Sequence, residues 1–275
     1  MQTRQSSLTK LMLAIFLLYL GLWPGSTLLL MLDRIPSWGE WLGGLFLIVP
    51  GLLVWLWLLL NYGWRGGLAG LVIVCGAWAI EHIGTTSGFP FGSYSYTERL
   101  QPQIADEVPI AIPFAWVLVV PSALLLADRL LGAERQRLWA RLLLVMLITV
   151  GLDLTLEPVI VYANRYWEWH TGGWYYGVPL SNFLGWGGSS LILGAALLAI
   201  SAWRSSELEL VWLPIALYLL NLLLFLLVNL AYGFWLASAI ALVLLLALLA
   251  GGRLWELLPK PMFSFGRRSR EHPAE

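Results

Sequence analysis

Asp153 and Glu157 stand four residues apart inside a largely apolar run, Leu138 to Tyr162. On a helix that spacing puts both carboxyls on one face, roughly 13 and 7 Å below the end marked by Tyr162 at about 1.5 Å per residue. An ionisable group at the centre of a bilayer costs about 2.5–3.5 kcal/mol even on the lenient insertion scale. Two roles repay that cost: acid–base chemistry, or hydrogen bonding between helices. Glu81 and His82 close another apolar run, Leu68 to Ile83, at the same membrane face, so three carboxyls and one imidazole can converge there. Pro158 follows Glu157 directly. Its missing N–H and its ring are expected to free the carbonyl of Leu154 and bend the helix.

Two stretches rich in Gly, Pro, Tyr and Trp lie at that face, Gly84 to Glu107 and Ala163 to Asn182. In the first, Gly88 to Tyr96 reads as a tight turn that presents Phe89, Phe91, Tyr94 and Tyr96. The second carries Trp167, Trp169, His170, Tyr175, Tyr176 and Asn182. Such residues suit ordered turns and interfacial packing rather than a flexible linker, so both stretches are expected to form a structured cap. It serves either as an aromatic belt at the membrane interface or as a lid over a ligand; His170 alone reads as a polar rim residue.

The elements that must position these residues are membrane helices. Of 275 residues, 59% are hydrophobic and 12% charged, about half the roughly 25% charge of a soluble domain. Runs long enough to cross a hydrocarbon core, which takes about 20 helical residues, are Leu11–Leu32, Trp41–Leu60, Leu68–Ile83, Val108–Ala127, Leu138–Tyr162, Phe183–Trp203, Leu208–Leu230 and Phe234–Ala250. The expected fold is an all-α polytopic membrane bundle of about eight transmembrane helices, comprising residues 1–258, with a polar C-terminal tail over 259–275. With the N-terminus inside, thirteen Lys and Arg fall on the inner side and only Arg34, Arg99 and Arg165 on the outer. The positive-inside rule then places both termini inside the cell membrane. Most of the 17 tryptophans read as packing or interface anchors, and Asn221 and Asn229 as interhelical hydrogen-bonders.

Several function classes lose ground. Cys75 is the sole cysteine and sits in an apolar run, which excludes an intrachain disulfide, an iron–sulfur cluster and a zinc-thiolate site. His82, His170 and His272 are too few for a membrane di-iron oxygenase, so no metal is expected. The sequence holds no Walker-type loop, no dinucleotide turn and no Asp-rich diphosphate motif. Net charge is +0, which offers nucleic acid nothing; lipid headgroups are the expected partner of Arg267, Arg268 and Arg270.

Four pieces of this sequence carry a family resemblance: Gly88 to Tyr96; Asp153-x-x-x-Glu157-Pro158; Trp167-x-Trp169; and the run Trp174 to Trp186. Together they span roughly residues 80–190, and over them the chain resembles the integral-membrane carotenoid biosynthesis family of 1′,2′-hydratases. Members of that family often carry Asp where this chain has Glu157, a change that keeps the acid and lengthens its reach. The resemblance implies addition of water to the terminal double bond of an acyclic ψ end group, on a carotenoid of the γ-carotene or lycopene type, without a cofactor; other carotenoid enzymes are candidate partners. On this reading Asp153 gives the proton, Glu157 takes one from the attacking water, and Glu81 with His82 tunes the acid. Phe89, Phe91, Tyr94, Tyr96, Trp167, Trp169, Tyr175, Tyr176 and Asn182 are the expected substrate-binding residues, with rings such as Tyr94, Trp167 and Trp169 holding the cation. End-group cyclisation, and carotenoid binding or transport without chemistry, are the alternatives.

Overall fold

The computed structural model describes residues 2–36, 39–132, 137–204 and 208–252. The tail expected over 259–275, with His272 and its three arginines, lies outside them. Long runs of Leu, Val, Ile and Ala become helices because a chain in hydrocarbon must satisfy every backbone N–H and C=O internally. Among the described residues there are seven helices: α1 (Gln2–Met31), α2 (Leu42–Ser87), α3 (Ala111–Leu131), α4 (Leu138–Pro158), α5 (Leu180–Ser201), α6 (Trp212–Tyr232) and α7 (Trp235–Gly251). A π-helical segment, Val159–Asn164, extends α4. Six of the helices are long and apolar enough to cross a bilayer, and α7, at 17 residues, is shorter. The protein is a polytopic helical membrane bundle.

Helix α2 supplies the two spans expected on either side of residues 61–67. Gly63 takes φ 58° and ψ −141°, a conformation open to glycine, and the chain doubles back there. Trp55 Nε1 donates to the Gly67 carbonyl at 2.9 Å, whereas twelve residues of continuous helix would separate them by about 18 Å. Helix α3 is the hub of the bundle: every residue from Trp116 to Asp128 is buried. The outer surface remains greasy, with Leu17, Leu18 and Leu22 of α1, Ile192 of α5 and Val243 and Leu246 of α7 all exposed, as lipid contact requires.

At the end away from the cap, Arg141 grips Asp128 through Nε at 2.8 Å and Nη2 at 3.0 Å. Trp203 Nε1 adds a third bond to Asp128 at 2.8 Å. This forked, charge-assisted contact ties α3 to α4 and to the end of α5. Asn229 Nδ2 bonds the Thr155 carbonyl across α6 and α4 at 2.8 Å, the interhelical role expected of it. Asn221 bonds the Leu217 carbonyl within its own helix at 2.9 Å and also pairs with the Tyr19 hydroxyl of α1, so it too links two helices.

The cap contains two short β-ribbons as well as the expected turns. Strand β1 (Tyr94–Tyr96) pairs antiparallel with β4 (Trp167–Trp169), Tyr94 opposite Trp169 and Tyr96 opposite Trp167. A second ribbon joins β2 (Gln103–Ile104) to β3 (Val108–Pro109). Gly88 and Gly92, at φ 78° and 112°, close the tight turn expected before β1, with Gly92 N bonding Gly88 O at 2.6 Å. The ring of Phe91 from that turn drops into a slot between α2 and α5: a Cβ added to Gly185 would lie 2.5 Å from the ring, and one added to Gly84 2.8 Å from it. Gly185→Ala is therefore expected to cost about 1–3 kcal/mol by overpacking, read as a lowered thermal unfolding midpoint in detergent.

Candidate active site

Pairing β1 with β4 has a direct chemical result. Because side chains alternate along a strand, Tyr94, Tyr96, Trp167 and Trp169 share one face of the ribbon, and Ser95 and Glu168 share the other. The aromatic face points into the bundle. There Tyr94 and Tyr96 donate their hydroxyls to Glu81 Oε2 at 2.7 and 2.8 Å. Trp167 and Trp169 donate their indole N–H groups to Glu157 Oε2 at 3.2 and 3.0 Å.

Helices complete both sets. Trp116 of α3 donates to Glu81 Oε1 at 3.1 Å. Asn182, in the first turn of α5, spends its amide on two acids, reaching Glu157 Oε1 at 3.0 Å and Asp153 Oδ2 at 2.9 Å. Asp153 Oδ1 is buried and has no hydrogen-bond partner among the described residues. All three acids are under 5% exposed, and among the described residues none is ion-paired with lysine or arginine. Three negative charges so placed would be prohibitively costly, so the cluster must retain protons among its members. Burial, and next the carboxylate of Glu81, push the phenols of Tyr94 and Tyr96 well above their ordinary range; both therefore stay O–H donors.

Glu81 and Glu157 share the wall of a cavity of about 60 Å³ with Phe91, Tyr94, Tyr96, Trp167, Trp169 and Asn182. About 10–15 Å³ suffices for one water, so the space takes a small branched end group or a few waters, not a long molecule. Trp116 and Trp186, stacked at 4.5 Å, form another part of the wall. They, with Leu47, Ile160 and Phe225, are lining residues beyond those the sequence singled out. Trp186 closes the motif run Trp174 to Trp186, which is its signal in the sequence; Trp116 sits in an unremarkable apolar span, with only its N–H as a clue.

Other expected residues stand elsewhere. Asp153 is behind Asn182 rather than on the cavity wall. The imidazole of His82 is stacked on Trp78 at 5.2 Å and paired through Nδ1 with Glu107, so the expected contact with Asp153 is not formed. Consecutive helical residues point about 100° apart, which is why Glu81 faces inward while His82 faces out. Phe89 is 73% exposed. Tyr175 packs beside Phe183 in a separate small core, and its hydroxyl donates to the Leu154 carbonyl at 2.6 Å, the group that Pro158 was expected to free. Tyr176 accepts from Leu236 N at its hydroxyl and offers its carbonyl to Tyr162. These two tyrosines brace the second cap loop. His170 lies on the outer face of the ribbon, 3.1 Å from Ser95 Oγ.

A family model described as carotenoid biosynthesis protein matches residues 42–248, which include Glu81, Asp153, Glu157 and both cap loops. The bisanhydrobacterioruberin hydratase of Haloarcula japonica is 33% identical over 122 residues, 44% of this chain and 41% of that protein. The chain thus covers less than half the length of that relative. No solved structure matches significantly.

Proposed function

This chain belongs to the carotenoid biosynthesis protein family, and from that premise we propose that it adds water across the terminal C1′=C2′ double bond of an acyclic ψ end group, giving a tertiary alcohol. The substrate on this reading is a carotenoid of the γ-carotene or lycopene type, met in the cell membrane with both termini of the protein inside and the cap outside. The observation that carries the proposal is a small, largely aromatic cavity with two buried carboxyls in its wall.

Hydration of a trisubstituted alkene needs a proton for the less substituted carbon, shelter for the tertiary cation that results, and one water to capture it. Glu157 is the proposed donor, supported by its place on the cavity wall in front of Asp153. The two indole N–H groups and the Asn182 amide bonded to it receive the negative charge left behind. The π faces around the cavity stabilise the cation, worth about 2 kcal/mol or more when desolvated. Water attacks C1′, and Glu81 accepts its proton, its three donors again spreading the charge. One proton leaves Glu157 and one arrives at Glu81, so the net charge of the cluster is unchanged and cavity water returns the proton. Asp153, joined to Glu157 through Asn182, holds a further proton beside the donor and keeps negative charge from accumulating.

Membranes containing only this protein, supplied with lycopene or γ-carotene in the absence of oxygen, are expected to yield a product heavier by one water. An isomer of unchanged mass would replace the hydratase with a cyclase, and unaltered carotenoid would leave binding or transport.

A further inference from the structure

A second cavity, of about 380 Å³, lies between α1, the first turns of α2, the π-helical segment and α6. It shares three side chains with the acid cavity: Leu47, Ile160 and Phe225. All three are apolar, so the partition between the two spaces consists of side-chain packing alone and carries no side-chain hydrogen bond to break. The wall of the larger space is mostly apolar, with Leu29, Leu30, Phe46 and Leu224 in it, and it also carries the polar side chains of Tyr19, Asn221, Arg34, Glu40 and Asn164. Gly43 belongs to the same wall; with no side chain there, the Tyr166 hydroxyl lies against the start of α2, at 1.7 Å from where a Cβ would stand.

The sizes of the two spaces impose a division of labour. The acid cavity takes only a reacting end group, so any substrate much longer than that end must place its remainder next door. A lipid-facing groove would do so only if the acid cavity opened to lipid, and the partition it shares with the larger space is the apolar path on view. We infer that the larger cavity is the chamber for the isoprenoid chain of the substrate, with Leu47, Ile160 and Phe225 as the threshold through which the end group reaches the acids. The inference rests on the hydration reading for the end group and commits to a linear isoprenoid chain as occupant.

The test uses the full-length protein made in cells that accumulate lycopene, and reads pigment retained per protein after purification, alongside hydrated product. Leu224→Trp and Leu29→Trp fill the chamber from two different helices without touching the acid cavity. Each is expected to lower retained pigment about tenfold or more by steric exclusion. Leu22→Trp, on an exposed face of α1, should retain pigment as the parent does. Glu157→Gln should retain pigment while losing product. Unchanged unfolding midpoints in the filled variants separate exclusion from misfolding, and a misfolded variant at one position leaves the other to decide. Pigment retained at the parental level in a folded Leu224→Trp or Leu29→Trp would overturn the chamber. Should the parent bind lycopene without hydrating it while the filled variants shed it, the chamber stands and the hydratase reading falls.

Discussion

Glu157→Gln is expected to lower the rate of hydration by about 10²–10⁴-fold, the usual worth of a positioned proton donor, while leaving a folded protein. The substitution is nearly isosteric, and the Gln side-chain oxygen can still accept one indole N–H. What it loses is the acidic proton and the ability to carry negative charge. Trp167 and Trp169 both donate to Glu157 Oε2, and an indole cannot reverse roles and accept. If the amide nitrogen turns toward them, two buried N–H groups lose an acceptor, at about 1–3 kcal/mol for each group left unsatisfied. The measurement is product formed per folded protein in membranes fed with lycopene, with the unfolding midpoint as control. Undiminished product would remove Glu157 from the chemistry. Asp153→Asn is the companion variant: a smaller loss than for Glu157→Gln follows if Asp153 acts from behind Asn182, and the larger loss would make Asp153 the donor that the sequence alone suggests.

The second large effect falls on the opposite wall. Glu81→Gln should cost about 10²-fold or more in turnover, because the group that accepts the proton of the attacking water is replaced by an amide that cannot. Tyr94, Tyr96 and Trp116 all aim donors at this one carboxyl, so the loss should be accompanied by a loosened first cap loop, seen as faster backbone hydrogen exchange over residues 94–96. His82→Ala, one residue along the same helix, is the informative contrast. Its ring packs on Trp78 and Glu107 rather than on any acid of the cluster, so turnover per folded protein should stay within about twofold, the reach of a surface change of a few tenths of a kcal/mol. A loss from His82→Ala as deep as that from Glu81→Gln would return the imidazole to the mechanism.

The contrast between these neighbours marks where sequence reasoning stops. Periodicity and composition were enough to read membrane spans, because hydrocarbon permits so few backbone solutions. The i, i+4 spacing of Asp153 and Glu157 was enough to put them on one face of one helix. It was not enough to fix their order toward the cavity, since that depends on Asn182, 25 residues beyond Glu157, which steps between Asp153 and the open space. Glu81 and His82 differ by one residue and hence by a third of a helical turn, a distinction decided only by how the second arm of α2 rotates against α3. The cap was legible as aromatic and ordered, yet the pairing of Tyr94-x-Tyr96 with Trp167-x-Trp169 was not. Each strand is three residues long, below the length at which alternation becomes a secure strand signal. Pro158 was the most transparent residue: the carbonyl it should free, on Leu154, is the one that Tyr175 occupies.

The short ribbon binding the two cap loops also couples their fates. Four of the six aromatic and amide side chains that donate to Glu81 and Glu157 ride on six paired residues, so peeling the ribbon away would strip both carboxyls together and flood them at one stroke. Damage to either strand is therefore shared: unpairing Trp167–Trp169 from Tyr94–Tyr96 takes donors from Glu81 and from Glu157 alike.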